Sequence, residues 1–142
     1  MINIDYNSIE VSKNGVLTGK ISINSGENSY PEIDWNDLII IILSQWIGEI
    51  LEVKNEMIFY FYDGNFSFKL ERSNDHCFCN YTLQQKNSDT LSKEISYSEF
   101  IIDLKYHSNK ILREYQHISD NEDYQKLVDI NSKLIGLNHV TK

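Results

Sequence analysis

Apolar residues recur along this chain with two periods, and the switches between the periods mark its elements. Up to Asn24 the alternation has period two and is interrupted by Lys13-Asn14-Gly15. With those residues as the loop, Val11 faces Leu17 and Glu10 faces Thr18, so like positions meet; a two-residue Asn-Gly turn would set Val11 against Thr18. The pattern predicts a hairpin with a three-residue loop, Gly15 in the left-handed position, a strand over 16–24 and a polar loop from Ser25 to Ser29. A second hairpin is written in MIFYFY, Asp63-Gly64 and NFSFKLERS. A two-residue turn sets Phe61 opposite Phe66, Phe59 opposite Phe68 and Met57 opposite Leu70 as the core face. Tyr62, Tyr60 and Ile58 then meet Asn65, Ser67 and Lys69 on the other face. A further strand over 76–86 puts Cys77, Cys79, Tyr81 and Leu83 on one side, and Asn87 to Ser92 reads as a polar loop.

Between the hairpins lies the most apolar stretch, Tyr30 to Glu52. Its six consecutive apolar residues, Leu38 to Leu43, suit a strand or a helix. The flanks favour a helix over 35–52: Pro31 precedes it, and Asp34 and Asp37 have capping-box spacing with negative charge at the positive dipole end. The apolar side chains span an arc of roughly 220°, too wide for a helix lying on a surface, so cover on more than one side is expected. Glu49 falls inside that arc, between Leu38 and Ile42, and a carboxylate there needs a partner. Farther on, Ser96-Tyr97-Ser98-Glu99 has the spacing of a capping box. The helix it opens carries Tyr97, Phe100, Ile101, Leu104, Ser108, Ile111, Tyr115 and Ile118 at spacings of three and four. A second Ser-x-x-Glu, Ser119 to Glu122, opens a third helix with Tyr124, Leu127, Val128, Leu134 and Ile135 as its apolar positions and Gly136 at its end.

The elements run β-β-α-β-β-β-α-α. The expected class is α+β, an antiparallel sheet of about five strands with helices packed mainly on one face. The 142 residues suit a single domain, 1–142, and no Pro-, Gly- or Ser-rich linker divides them. MINIDYNSIE has no basic region or apolar run of a signal peptide, Leu38 to Leu43 is too short to span a bilayer, and two cysteines make no disulfide framework. A cytoplasmic protein without membrane contact is expected.

Charge changes the picture more than composition does. The formal net charge is −8, which argues against nucleic acid as a partner because phosphates are held by clustered Lys and Arg. Between Glu27 and Asp63 eight carboxylates stand against Lys54 alone, so −7 of that charge gathers around the first helix. One reading is a solvated helix end and polar face, with Asp34 and Asp37 merely capping. The other is an acidic surface that attracts a basic protein.

Candidate chemistry is sparse. There is no Gly-rich phosphate loop, no Gly-x-Ser-x-Gly elbow and no His-Glu-x-x-His. His76, Cys77 and Cys79 lack the spacing and the second pair of a zinc site, so the cysteines read as core residues and no metal or cofactor is expected. His107, four residues after Asp103, reads as half of a surface Asp-His contact. An enzyme or ligand-binding domain would turn on Glu49, with a pKa raised by its apolar surroundings; the alternative is a structural Glu49 paired with Lys or Arg. A structural or oligomer-forming module would instead self-associate through an exposed aromatic patch.

Tyr30-Pro31-Glu32, Trp35, Asp37, the apolar helix with Leu43 and Trp46, and Phe61-Tyr62-Asp63-Gly64 resemble a pattern found in small bacterial proteins. Some similar small acidic proteins serve as immunity proteins of polymorphic or contact-dependent toxin systems. The resemblance covers roughly the middle third of the chain. It implies a stoichiometric, non-enzymatic mechanism: binding a cognate toxin domain and covering its active site or substrate surface. The contact residues expected on that basis are Asp34, Asp37, Glu52 and Asp63 as charges, Trp35, Tyr60 and Tyr62 as aromatic anchors, and Glu49 at the margin.

Overall fold

In a computed structural model of the chain, residues 1–25, 28–73, 76–83 and 89–137 are described, with backbone alone at 25, 28, 73, 76–83 and 89–94. The first hairpin pairs β1 (Ile2–Val11) with β2 (Leu17–Ser25). Val11 faces Leu17, Glu10 faces Thr18, the Ser12 amide bonds to the Val16 carbonyl at 2.9 Å, and Gly15 has φ +79°. This is the three-residue loop that the alternation requires. The register then shifts between Asp5 and Glu10, where the Ser8 hydroxyl replaces a strand neighbour: it accepts the Lys20 amide at 2.8 Å and donates to the Asp5 carbonyl at 2.6 Å.

Two short strands complete this sheet, both on β2. In β3 (Asn28–Tyr30) Tyr30 pairs with Ile23, and in β4 (Asn36–Asp37) Asp37 pairs with Gly19. Asn28 and Ser29, expected in a polar loop, are therefore strand residues; 26–27 lie outside the described residues. The Tyr30–Pro31 peptide is cis.

The expected start of the first helix needs correction. Helix α1 spans Ile39–Leu51, its N-cap is Leu38, and no side chain caps it. The capping box fails because both carboxylates have other partners: Asp34 reaches Lys20 at 3.4 Å, and Asp37 sits in β4 and binds groups outside the helix's first turn. Its wide apolar arc is covered as expected, with β2, β5 (Glu56–Tyr60), α2 (Tyr97–Glu114) and α3 (Glu122–Ile135) all packed against it.

The second sheet runs β5, β6 (Ser67–Ser73), β7 (His76–Leu83) and β8 (Asp89–Ile95), antiparallel throughout. Met57 faces Leu70, Phe59 faces Phe68 and Tyr60 faces Ser67, the register expected from the alternation. The turn is wider than two residues. Phe61 and Phe66 are joined by one bond, Phe61 amide to Phe66 carbonyl at 3.0 Å, but no ladder pair joins Tyr62 to Asn65, and the Asp63 amide in the turn bonds to Asp37. The segment expected as a loop at 87–92 also differs: residues 89–95 pair along the whole of β7, from Leu83↔Asp89 to Cys77↔Ile95. An edge strand can be this polar, since charged residues on a sheet edge discourage further pairing. Residues 84–88 and the side chains of His76, Cys77 and Cys79 lie outside the described residues.

Helix α2 is capped as read, Ser96 Oγ accepting the Glu99 amide at 3.3 Å. Helix α3 is not. Its cap is Asn121, whose Oδ1 accepts the Asp123 and Tyr124 amides at 2.8 and 3.2 Å, while Ser119 closes a 3-10 turn, Gln116–Ile118. Val128 and Ile135, expected inside, are 37% and 56% exposed; Asn131 takes the inward position between Leu127 and Leu134. The fold is thus α+β with antiparallel pairing, and the described residues hold eight strands in two sheets where one sheet of about five was expected. Apolar side chains of both sheets and all three helices join in one buried cluster, with Trp46 at 0% exposure edge-on to Phe61 and Phe68.

Candidate functional site

Asp37 is the node from which the region of interest is built. It is 3% exposed, and its carboxylate accepts the Trp35 indole N–H at 2.9 Å, the Leu38 amide at 2.7 Å and the Asp63 amide at 3.1 Å. Three N–H donors satisfy a carboxylate that burial alone would penalise. Asp37 is therefore removed from the expected contact charges, because its oxygens face inward. Trp35 is half-buried, edge-on to Phe66 with ring centroids 4.8 Å apart. Gly64, at φ +74°, lets the loop lie against that indole: a Cβ there would stand 3.2 Å from Trp35 and from Phe66.

The polar sector of α1 runs along the outer edge of β5. The Ile58 amide donates to Glu49 Oε2 at 2.8 Å and the Tyr60 amide to Gln45 Oε1 at 3.0 Å. In return Gln45 Nε2 donates to the Ile58 carbonyl at 3.3 Å and Trp46 Nε1 to the Tyr60 carbonyl at 2.9 Å. Glu49 also meets Lys54 Nζ at 2.8 Å, and Lys54 meets Glu52 at 2.9 Å. Burial acts to raise the Glu49 pKa, but the Lys54 ammonium and the Ile58 amide outweigh it and hold the group below its ordinary value. The raised pKa expected of a general acid is corrected by this pairing. Glu49 is a structural carboxylate with 13% of its side chain exposed.

Outside this frame the predicted residues reach solvent. Tyr60 and Tyr62 are 53% and 63% exposed, Asp63 is exposed next to Tyr62, and Glu52 is exposed at the C-terminal end of α1. Asp34 is 77% exposed by side chain. On the same side of the β5–β6 pair, Lys69 lies between Glu56 at 3.8 Å and Glu71 at 3.0 Å, so that lysine is matched to two carboxylates as Lys54 is. The sequence reading missed Gln45 and the Glu56–Lys69–Glu71 set. The one available signal was the i,i+4 spacing of Gln45 and Glu49, which puts both on one helix face.

His107 is buried rather than at the surface. Its Nε2–H donates to the Ile2 carbonyl at 3.1 Å, and its Nδ1 accepts the Tyr6 hydroxyl at 2.6 Å; Asp103 lies 3.6 Å from Nε2 and accepts the Ile2 amide at 2.6 Å. Burial lowers the His107 pKa despite Asp103. This set clamps β1 to α2. An open groove of about 530 Å³ between the β1–β2 loop and the turn before α3, lined by Lys13, His117 and Asp120 among others, includes none of the predicted contact residues.

Among the described residues no three His, Cys, Asp or Glu side chains are placed to hold a metal ion, and no helix is long and apolar enough to cross a membrane. No protein-family model, curated protein or solved structure matches the chain.

Proposed function

We propose that this chain is a cytoplasmic bacterial immunity protein, which neutralises a cognate toxin domain by binding it through the surface around Tyr60, Tyr62 and Asp63. The observation that carries the reading is the exposure of two tyrosines, with the exposed Asp63 next to them, on an edge held by side chains of α1. The Asp37 node, the Gln45–Glu49 contacts and Trp35 lie behind the surface as its support, and Glu52, Asp34 and Asp63 supply its charge. Rigid tyrosines offer large contact area at low entropic cost, and acidic groups around them speed encounter with a basic protein. A toxin that cuts nucleic acid presents such a basic surface. The test is co-expression with the C-terminal domain of a large secreted protein encoded directly upstream. The reading expects protection of the host cell by the wild type and its loss in Tyr60→Ala/Tyr62→Ala, with the variant still folded; full protection by that variant would move the interface elsewhere.

A further inference from the structure

The outer edge of β5 is occupied by side chains where another strand would fit. Pairing with β6 decides which groups these are: the Phe61 amide bonds to the Phe66 carbonyl and the Arg72 amide to the Asn55 carbonyl. Odd-numbered residues of β5 thus bond to β6, and Ile58 and Tyr60 turn their N–H and C=O groups outward. All four of those groups are taken by Gln45, Trp46 and Glu49. The amide of Gln45 does what a peptide group does, accepting from one residue and donating to another two positions away. The strand beneath, Glu56-Met57-Ile58-Phe59-Tyr60, is apolar, aromatic and free of proline and glycine. Left open, such an edge is a template for pairing with another chain.

We infer that the Gln45–Glu49 face of α1 is a plug over a latent dimer edge, and that the occupant it excludes is β5 of a second copy of this chain. Register names that occupant. Antiparallel pairing about a two-fold axis at Ile58 sets Ile58 opposite Ile58 and Glu56 opposite Tyr60, so the bonds use the now plugged groups of Ile58 and Tyr60 together with the outward groups of Glu56, and no two carboxylates face each other. With Gln45 and Glu49 truncated, the Ile58 N–H and C=O and the Tyr60 N–H become available, while Trp46 keeps the Tyr60 carbonyl.

The test is the mass of Gln45→Ala/Glu49→Ala across a wide concentration range, beside amide exchange in the wild type. The plug predicts that the Ile58 and Tyr60 amides of the wild type are protected although no strand pairs with them. It also predicts that the double variant doubles in mass with concentration relative to the wild type, and that adding Ile58→Pro abolishes the doubling. A folded double variant that keeps the wild-type mass at every concentration overturns the inference. So does exchange of the two wild-type amides as fast as that of Asn65 in the neighbouring loop. Should the double variant fail to fold, amide exchange in the wild type decides alone: protection of Ile58 and Tyr60 supports the plug, and exchange as fast as that of Asn65 overturns it.

Discussion

The carboxylate of Asp37 holds the backbone amide of Asp63, 3.1 Å from each oxygen, and so ties the entry to α1 to the loop after β5 across 26 residues of sequence. Asp37→Ala leaves the Trp35 indole and the Asp63 amide without their acceptor. A loss of about 2–4 kcal/mol in urea unfolding is expected, because each lost bond had a charged acceptor and its donor stays partly buried. Asp37→Asn keeps an acceptor oxygen and is expected to cost less. Equal stability of Asp37→Ala and the wild type would contradict the role assigned to this carboxylate.

Glu49 gives a pH dependence with a defined sign. Its folded pKa is lowered from 4.5, so the stability it contributes is present above that value and is lost as pH falls through the folded pKa. The stability difference between the wild type and Glu49→Gln is therefore expected to be full at neutral pH and to shrink in acid below the ordinary carboxylate value. A difference that grew on acidification would mean a raised pKa and would revive the general-acid reading. Lys54→Met removes the ammonium from Glu49, and its carboxyl titration, followed by NMR, should move upward.

These two carboxylates show how far the sequence could be read. Glu49 was legible as an anomaly because helix geometry put a charge inside an apolar arc, and its lysine lies five residues away. Asp37 was misread because its spacing from Asp34 imitates a cap, whereas its deciding partner is a backbone amide that no side-chain pattern reveals. The β5–β6 register was legible from period-two alternation, since a slip of one residue would turn Phe59 and Phe68 out of the core. β8 was hidden by its polarity, and Gln45 by the fact that an amide bonded to strand backbone looks, in a helical wheel, like an amide in water.

His107 is expected to titrate below 6.5, because burial lowers its pKa, with the terminal amine and Lys110 acting in the same direction and Asp103 and the Ile2 carbonyl opposing. Tyr6, Tyr106 and Lys110 are its other polar neighbours, and Lys110 Nζ lies 4.1 Å from the Tyr6 ring centre. A folded pKa below the unfolded one means that this stability is complete above 6.5 and is lost as pH falls through the folded pKa. Proton NMR of the imidazole gives the midpoint. Tyr6→Phe removes the hydroxyl on Nδ1 and should destabilise the clamp by about 1 kcal/mol.

Val53 joins α1 to β5 at φ +51° and is 67% exposed. A β-branched residue is strained in the left-handed region, and its exposed side chain has little packing to offset the strain. Val53→Gly is expected to raise stability by about 0.5–1 kcal/mol, seen as a higher urea midpoint at unchanged slope. A lower midpoint would show that the valine side chain contributes packing that its exposure conceals.

The acidic, tyrosine-bearing surface is proposed as the docking site for a basic toxin domain. Stopped-flow association with the domain encoded directly upstream, measured at several salt concentrations, tests it most directly. Charge reversal in Glu52→Lys/Asp63→Lys is predicted to slow association about tenfold or more at low salt and to flatten its salt dependence, with the fold intact. Association rates and salt dependence unchanged from the wild type in a complex that does form would contradict it.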